Sequence, residues 1–183
     1  MRLISSTCFT VQVLALIGIL SLQSIAASGS NGGLRLTSPA FQNGTVIPEV
    51  YTCSGLNQSP AISWNGVPAD TASLVLIVDD PDAPMGIFVH WVIYNLPPNT
   101  KMLPASMPIS QSAQGGEQGT NGSGGVGYTG PCPPPGKPHH YHFRLYALDR
   151  KLKLEAGATA QEVEAAMDGH VLARTELVGI FER

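Results

Sequence analysis

The 183-residue chain carries 10 Lys and Arg against 13 Asp and Glu, a formal net charge of −3, and is 43% hydrophobic. No cluster or stripe of bases occurs, which argues against nucleic acid or an anionic membrane surface as the main partner. The chain is long enough to bury the core of one domain.

Arg2 is followed by an apolar run from Val11 to Leu20 broken only by Gln12 and Gly18, and Ser24-Ile25-Ala26 or Ile25-Ala26-Ala27 supplies small residues for cleavage. The run is shorter than the roughly 20 residues a membrane span needs. Residues 1–27 are therefore expected to be a cleaved secretory signal peptide rather than an anchor. Cys8 precedes the run, so it is not the lipidated cysteine of a lipoprotein signal. Residues 28–183 are expected to form a single domain, secreted or periplasmic, with no integral span after cleavage. Losing Arg2 leaves nine basic and thirteen acidic residues, a net charge near −4. Cys53 and Cys132 survive processing. Export permits a disulfide, and the sequence leaves their pairing open.

Strand signals dominate residues 34–148. Leu34-Arg35-Leu36-Thr37 and Ala61-Ile62-Ser63-Trp64 alternate between turn residues. Residues 73–78 and 88–95 are apolar on both faces, as in central strands covered on two sides. Short strands separated by turns predict a mainly β fold, an antiparallel β-sandwich. Residues 99–127 read as a long polar connection, Gly/Ser-rich toward its end and placed to act as a functional loop. Thr159-Ala160-Gln161-Glu162 is a capping box. Val163, Ala166 and Met167 form an apolar stripe behind it, and Gly169 supplies the exit, so one short helix is predicted there. Residues 176–181 read as a last strand.

Two segments hold the chemistry. In Val78-Asp79-Asp80-Pro81-Asp82-Ala83-Pro84, Asp80 ends the row Leu74, Leu76, Val78. Pro81 and Pro84 fix the turn that follows, with either X-Pro bond free to be cis, and Asp82 either closes that turn or serves the site. His90 is expected to share a face with Phe88 and Val92 and to project near Asp80. In Gly127-Tyr128-Thr129-Gly130-Pro131-Cys132-Pro133-Pro134-Pro135-Gly136, a Pro/Gly-rigid loop leads to His139-His140-Tyr141-His142. His139, Tyr141, Phe143, Leu145 and Ala147 share one face, which turns polar only at its start; His140, His142, Arg144 and Tyr146 share a face that reads as solvated. The two segments are expected to form two walls of one pocket.

A nucleotide-binding P-loop is excluded, because Gly130 to Lys137 has the wrong spacing and Pro138 stands where Ser or Thr is needed. No G-x-S-x-G elbow is present. His140 and His142 face away from His139 on a regular strand, which counts against a metal centre. No catalytic residue, metal or cofactor is assigned.

These motifs, with Ser59-Pro60-Ala61-Ile62-Ser63-Trp64 and Leu148-Asp149, closely resemble the phosphatidylethanolamine-binding protein (PEBP) family, which includes Raf kinase inhibitor protein, and most strongly its bacterial and archaeal branch. The resemblance implies a sandwich of one large and one small sheet with a small cavity for phosphate-like anions. By position it implies Asp80, His90, Pro131, His139 and Tyr141 as cavity residues, with Gly130 and Gly136 shaping the rim and Tyr128 in support; Asp82 and Cys132, beside these positions in the sequence, are expected to support the site as well. The expected ligand is a small anion, phosphate or a phosphoryl headgroup. The alternative is an interaction module that inhibits a protease or kinase. A metal-dependent or acid–base hydrolase is a third, weaker reading. The chain departs from eukaryotic members in Cys132 and in ending soon after Phe181, so kinase regulation is not carried over. In the expected scheme His90 and His139 donate to the anion, at least one of them charged, with Asp80 favouring the charged imidazole and Tyr141 giving an O–H. Affinity should then fall as pH rises from about 5.5 to 8.

Overall fold

A computed structural model describes residues 33–183. The expected signal peptide lies outside the described residues. Within them, β1 (Arg35–Thr37), β3 (Ile62–Asn65) and β6 (Met102–Leu103) form a three-stranded antiparallel sheet. A larger sheet contains β2 (Thr45–Val46), β4 (Ser73–Asp80), β5 (Phe88–Leu96), β8 (Gly116–Thr120), β9 (His139–Leu148), β10 (Gly157–Thr159) and β11 (Val171–Phe181). Its order is β10-β8-β5-β4-β9-β11-β2, and β7 (Ser112–Ala113) pairs with β8. The centre is antiparallel as expected, while the two edge pairings, β10–β8 and β11–β2, are parallel. The fold is the expected β-sandwich with one short helix, α1 (Ala160–Met167).

Strand alternation explains the layers. Leu74, Leu76 and Val78 of β4 pack with Trp91, Ile93, Phe143 and Leu145 against Leu36, Ile62 and Trp64 of the small sheet. The intervening Val75 and Ile77 join Val92 and Tyr94 on the opposite face, where Val163 and Met167 of α1 cover them. Each such side chain, fully withdrawn from water, contributes about 1.5–3 kcal/mol. That is why β4 and β5 read as continuous apolar runs. The capping box forms as predicted: Thr159 Oγ1 accepts from Glu162 N, and Glu162 Oε2 accepts from Thr159 N.

Three readings need correction. Residues 99–127 are not one open connection, because β6, β7 and β8 lie within them. Strand β8 escaped notice because its glycines replace the apolar residues a strand normally shows: a Cβ on Gly119 would meet the Ala158 carbonyl oxygen at 2.3 Å. The last strand begins at Val171 rather than Glu176, since its first half is largely exposed and lacks the alternation that marks burial. The even face of β9 is not simply solvated either. Tyr146 packs on the α1 side of the sheet, and Arg144 pairs with the buried Asp79. All peptide bonds among the described residues are trans. No helix among them is long and apolar enough to cross a membrane.

Candidate functional site

The ends of β4 and β9 lie side by side, with Asp79 opposite His142 in the ladder. Asp80 and His139 are thereby brought together at one edge of the core. His139 Nδ1 donates to Asp80 Oδ2 at 2.7 Å, and the other carboxylate oxygen accepts from Asp82 N at 2.8 Å. Both residues are buried. An anionic carboxylate at the end of an apolar row is tolerated because both its oxygens are occupied.

His90 reaches the same place by a β-bulge. Val78 pairs with Trp91 and Asp79 with Val89, so His90 is the extra residue between them. The bulge turns the His90 ring toward Phe88, 4.9 Å away, and Tyr141, 5.1 Å away. It also corrects the expected face, since Val92 packs in the opposite layer. Re-aiming a side chain is a common use of a bulge beside a site. His90 Nδ1 lies 2.7 Å from the Thr129 carbonyl oxygen, which can only accept, so Nδ1 carries the proton. Nε2 is buried without a partner, as is the Tyr141 hydroxyl. Burial holds the His90 pKa below its ordinary value, outweighing the Thr129 hydrogen bond and the nearby Asp80 charge. The expectation that Asp80 would raise a neighbouring imidazole therefore fails for His90: desolvation is the larger effect. Burial likewise pushes the Tyr141 phenol well above its usual range, keeping it a neutral O–H.

The Pro/Gly loop forms the facing wall. Thr129, Gly130, Cys132, Pro133 and Pro134 line a cleft of about 760 Å³ together with Asp80, His90 and His139. Its outer lip is apolar and includes Met85, fully exposed, and Ile87. Cys132 is bonded to Cys53, which settles their pairing. Pro131 is buried but does not line the cleft, and its carbonyl accepts from Cys53 N at 3.0 Å. Tyr141 stands behind His90 rather than in the lining, and Gly136 is an exposed turn residue at φ +134°. Tyr128 supports the wall from behind. Its hydroxyl donates to the Tyr51 carbonyl at 2.7 Å, and its ring meets Trp91 edge-on. Asp82 clasps the start of β9, accepting from His140 N at 2.9 Å and His140 Nδ1 at 2.8 Å. Those bonds hold the Asp82 pKa below its ordinary value. His142 pairs with Glu176, so neither His140 nor His142 enters the cleft.

Asn57, which sequence reading did not single out, anchors this wall by accepting from Gly130 N at 2.7 Å. Its only sequence signal is a position in a short Gly-Leu-Asn turn. Gly130 is required by close approach: a Cβ there would meet the Tyr51 carbonyl oxygen at 2.4 Å and Thr52 Cα at 2.9 Å. Gly130→Ala should therefore lower stability by about 2 kcal/mol through overpacking, readable as a fall in the urea midpoint. An unchanged midpoint would show that the wall gives way freely.

The fold and cleft define a two-sheet β-sandwich whose conspicuous polar cluster sits where β4, β5 and β9 end at a Pro/Gly loop. The family model described as phosphatidylethanolamine-binding protein matches residues 37–182. The chain belongs to that family. A UPF0098 protein of Methanothermobacter thermautotrophicus is 49% identical over 151 residues, covering 82% of this chain and 99% of the relative. A second, from Pyrococcus horikoshii, is 44% identical over 180 residues, covering 93% and 87%. The crystal structure of a PEBP homolog from Chlamydia trachomatis superposes with a TM-score of 0.76 at 42% identity, covering 82% of this chain and 98% of that one.

Proposed function

We propose that this is an exported binding protein whose cleft takes a small phosphate-type anion without transforming it. The observation that carries the reading is the pair of buried, unpartnered polar atoms, His90 Nε2 and the Tyr141 hydroxyl, behind a cleft lined by His139 and Asp80. Unpartnered buried polar groups cost about 1–3 kcal/mol each, and a ligand or water that satisfies them recovers it. Family membership supports the same reading. The Cys53–Cys132 bond is consistent with an oxidising location, and it leaves Cys132 unavailable as a nucleophile beside the cleft.

Proton linkage gives the test. Burial favours the neutral form of His90 in the empty cleft, leaving a lone pair on Nε2, so an incoming anion is held more tightly once His90 gains a proton there. Because the folded pKa is depressed, the empty protein's stability from His90 is present above about 6.5 and is lost as pH falls through the folded value. Anion binding opposes that loss. Calorimetric titration with inorganic phosphate should show proton uptake and an affinity that falls by about tenfold or more between pH 5.5 and 8. His90→Ala should weaken binding at pH 5.5. Affinity independent of pH, or no binding by the native protein, rejects the reading.

The exposed Met85 and Ile87 at the cleft's lip favour one second reading, a protein-docking rim. A partner whose capture survives His90→Ala and is lost with Met85→Ser would support it over the anion site.

A further inference from the structure

The buried floor of the cleft holds the Asp80 carboxylate and two imidazoles, with no permanent cation among them. An anion entering that floor meets repulsion from Asp80, and the end of β11 brings a cationic side chain to the same cleft. Strand β11 runs antiparallel to β9 with Phe181 opposite His139. The chain beyond Phe181 therefore passes the first residue of β9 and brings Arg183 to the cleft, where it lines the wall with His90, His139 and Cys132. Arg183 is the one Lys or Arg in that lining.

Its charge is uncommitted. Arg144 and Arg150 each sit on a carboxylate, whereas among the described residues Arg183 has none within ion-pair distance. Its Nη1 donates to Cys132 Sγ at 3.5 Å, and a sulfur is a weak acceptor. The guanidinium thus rests on the disulfide-anchored wall with most of its five donors free. A planar fork of this kind suits the paired oxygens of a phosphoryl group.

We infer that Arg183 is the anion-recognising residue of this cleft, its guanidinium engaging two phosphoryl oxygens while the imidazole and phenol behind it receive the rest of the group. This rests on the phosphate-site reading above. It adds that affinity depends on a residue beyond the last strand, outside the Asp80-Pro81-Asp82 segment and the Pro/Gly loop from Gly127 to Gly136. Within the lining the Arg183 guanidinium is the fixed cation set against the Asp80 carboxylate, and a proton on the His90 imidazole adds to it. The titratable and charged groups beside that imidazole are Asp80 from β4 and His139 and Tyr141 from β9, and Arg183 lines the same cleft from beyond β11.

The experiment compares native protein with Arg183→Ala, Arg183→Gln and Arg183→Lys by calorimetric titration at pH 5.5 and low salt. The probes are inorganic phosphate and, separately, soluble glycerophosphoethanolamine. Arg183→Ala and Arg183→Gln should each weaken binding about 10- to 100-fold, the range for a hydrogen bond to a charged group. Arg183→Lys, which keeps the charge but loses the fork, should fall between them and the native protein. Added salt should narrow the gap between native protein and Arg183→Ala, because the guanidinium is exposed. Thermal midpoints should stay within a degree or so of native, since the side chain packs against little. The probe that binds tighter identifies free phosphate or a headgroup diester as the source, and the Arg183 dependence is expected for either. Binding by Arg183→Ala within twofold of native overturns this inference and leaves the phosphate site standing. Absence of binding by the native protein removes both.

Discussion

Replacing Cys53 and Cys132 together by serine, or reducing the native protein, should lower unfolding free energy by about 3–4 kcal/mol. The bond closes a loop spanning 79 positions, and chain-entropy arithmetic for a loop of that length gives about 4.5 kcal/mol as an upper figure. The same wall has other ties: Cys53 N to the Pro131 carbonyl, Gly130 N to Asn57 and Tyr128 to the Tyr51 carbonyl. These act in the folded state alone and vanish on unfolding, so they cannot substitute for a crosslink whose effect is on the unfolded chain. Urea denaturation with and without reductant separates the two contributions. The reduced protein should show a lower midpoint and a steeper denaturant dependence, because its unfolded ensemble is more expanded. Loss of less than about 1 kcal/mol would mean that the unfolded chain is held compact by something other than the bond.

The sandwich was legible because burial on two faces leaves a plain mark. Strands β4, β5 and β9 carry Leu, Val, Ile and aromatic residues at every position or every second one, and those positions are the ones that pack. Strand β8 carries no such mark. Gly116 and Gly119 face the Tyr94 and Ala158 backbones so closely that no side chain fits, and Gln118 spends its amide on Trp91, Pro108 and Ser110. A strand built from glycine and hydrogen bonds reads as loop.

The cleft was legible in the same uneven way. Asp80 and His139 meet because each ends an alternating row, and period two alone places both on the inner face. His90 also arrives inside, but by a bulge that alternation does not encode, and its partner is a carbonyl, Thr129, that no side-chain pattern announces. Pro131 and Tyr141, expected as cavity residues, stand behind the lining. Asn57 and Arg183 contribute from a turn and from beyond the last strand, where residue type carries no period. Contacts made by backbone atoms and by isolated residues are set by the tertiary fold, and one sequence shows them only after the fold is known.

Arg144→Met should cost about 2–3 kcal/mol near pH 7, because it strands a buried carboxylate. Asp79 is 3% exposed, and one of its oxygens, Oδ1, has no partner. Arg144 bonds the other oxygen and also Glu176, which His142 shares. Removing one member of a buried pair typically costs 3–5 kcal/mol; the guanidinium's 30% exposure argues for the lower figure. Burial already holds the Asp79 pKa above its ordinary 3.8 even with Arg144 beside it. A raised carboxyl pKa means the folded state keeps its proton more tightly than the unfolded one. The stability it confers is therefore present below the unfolded value and lost as pH rises through the folded one. Without Arg144 the folded value rises further, so the difference between variant and native protein should be small below about pH 4 and grow steadily toward neutrality. Asp79→Leu combined with Arg144→Met should recover most of the loss, since a buried pair is often replaced by apolar residues at little cost. A deficit that is the same at pH 4 and pH 7 would show instead that the arginine acts by covering the sheet with its aliphatic stem.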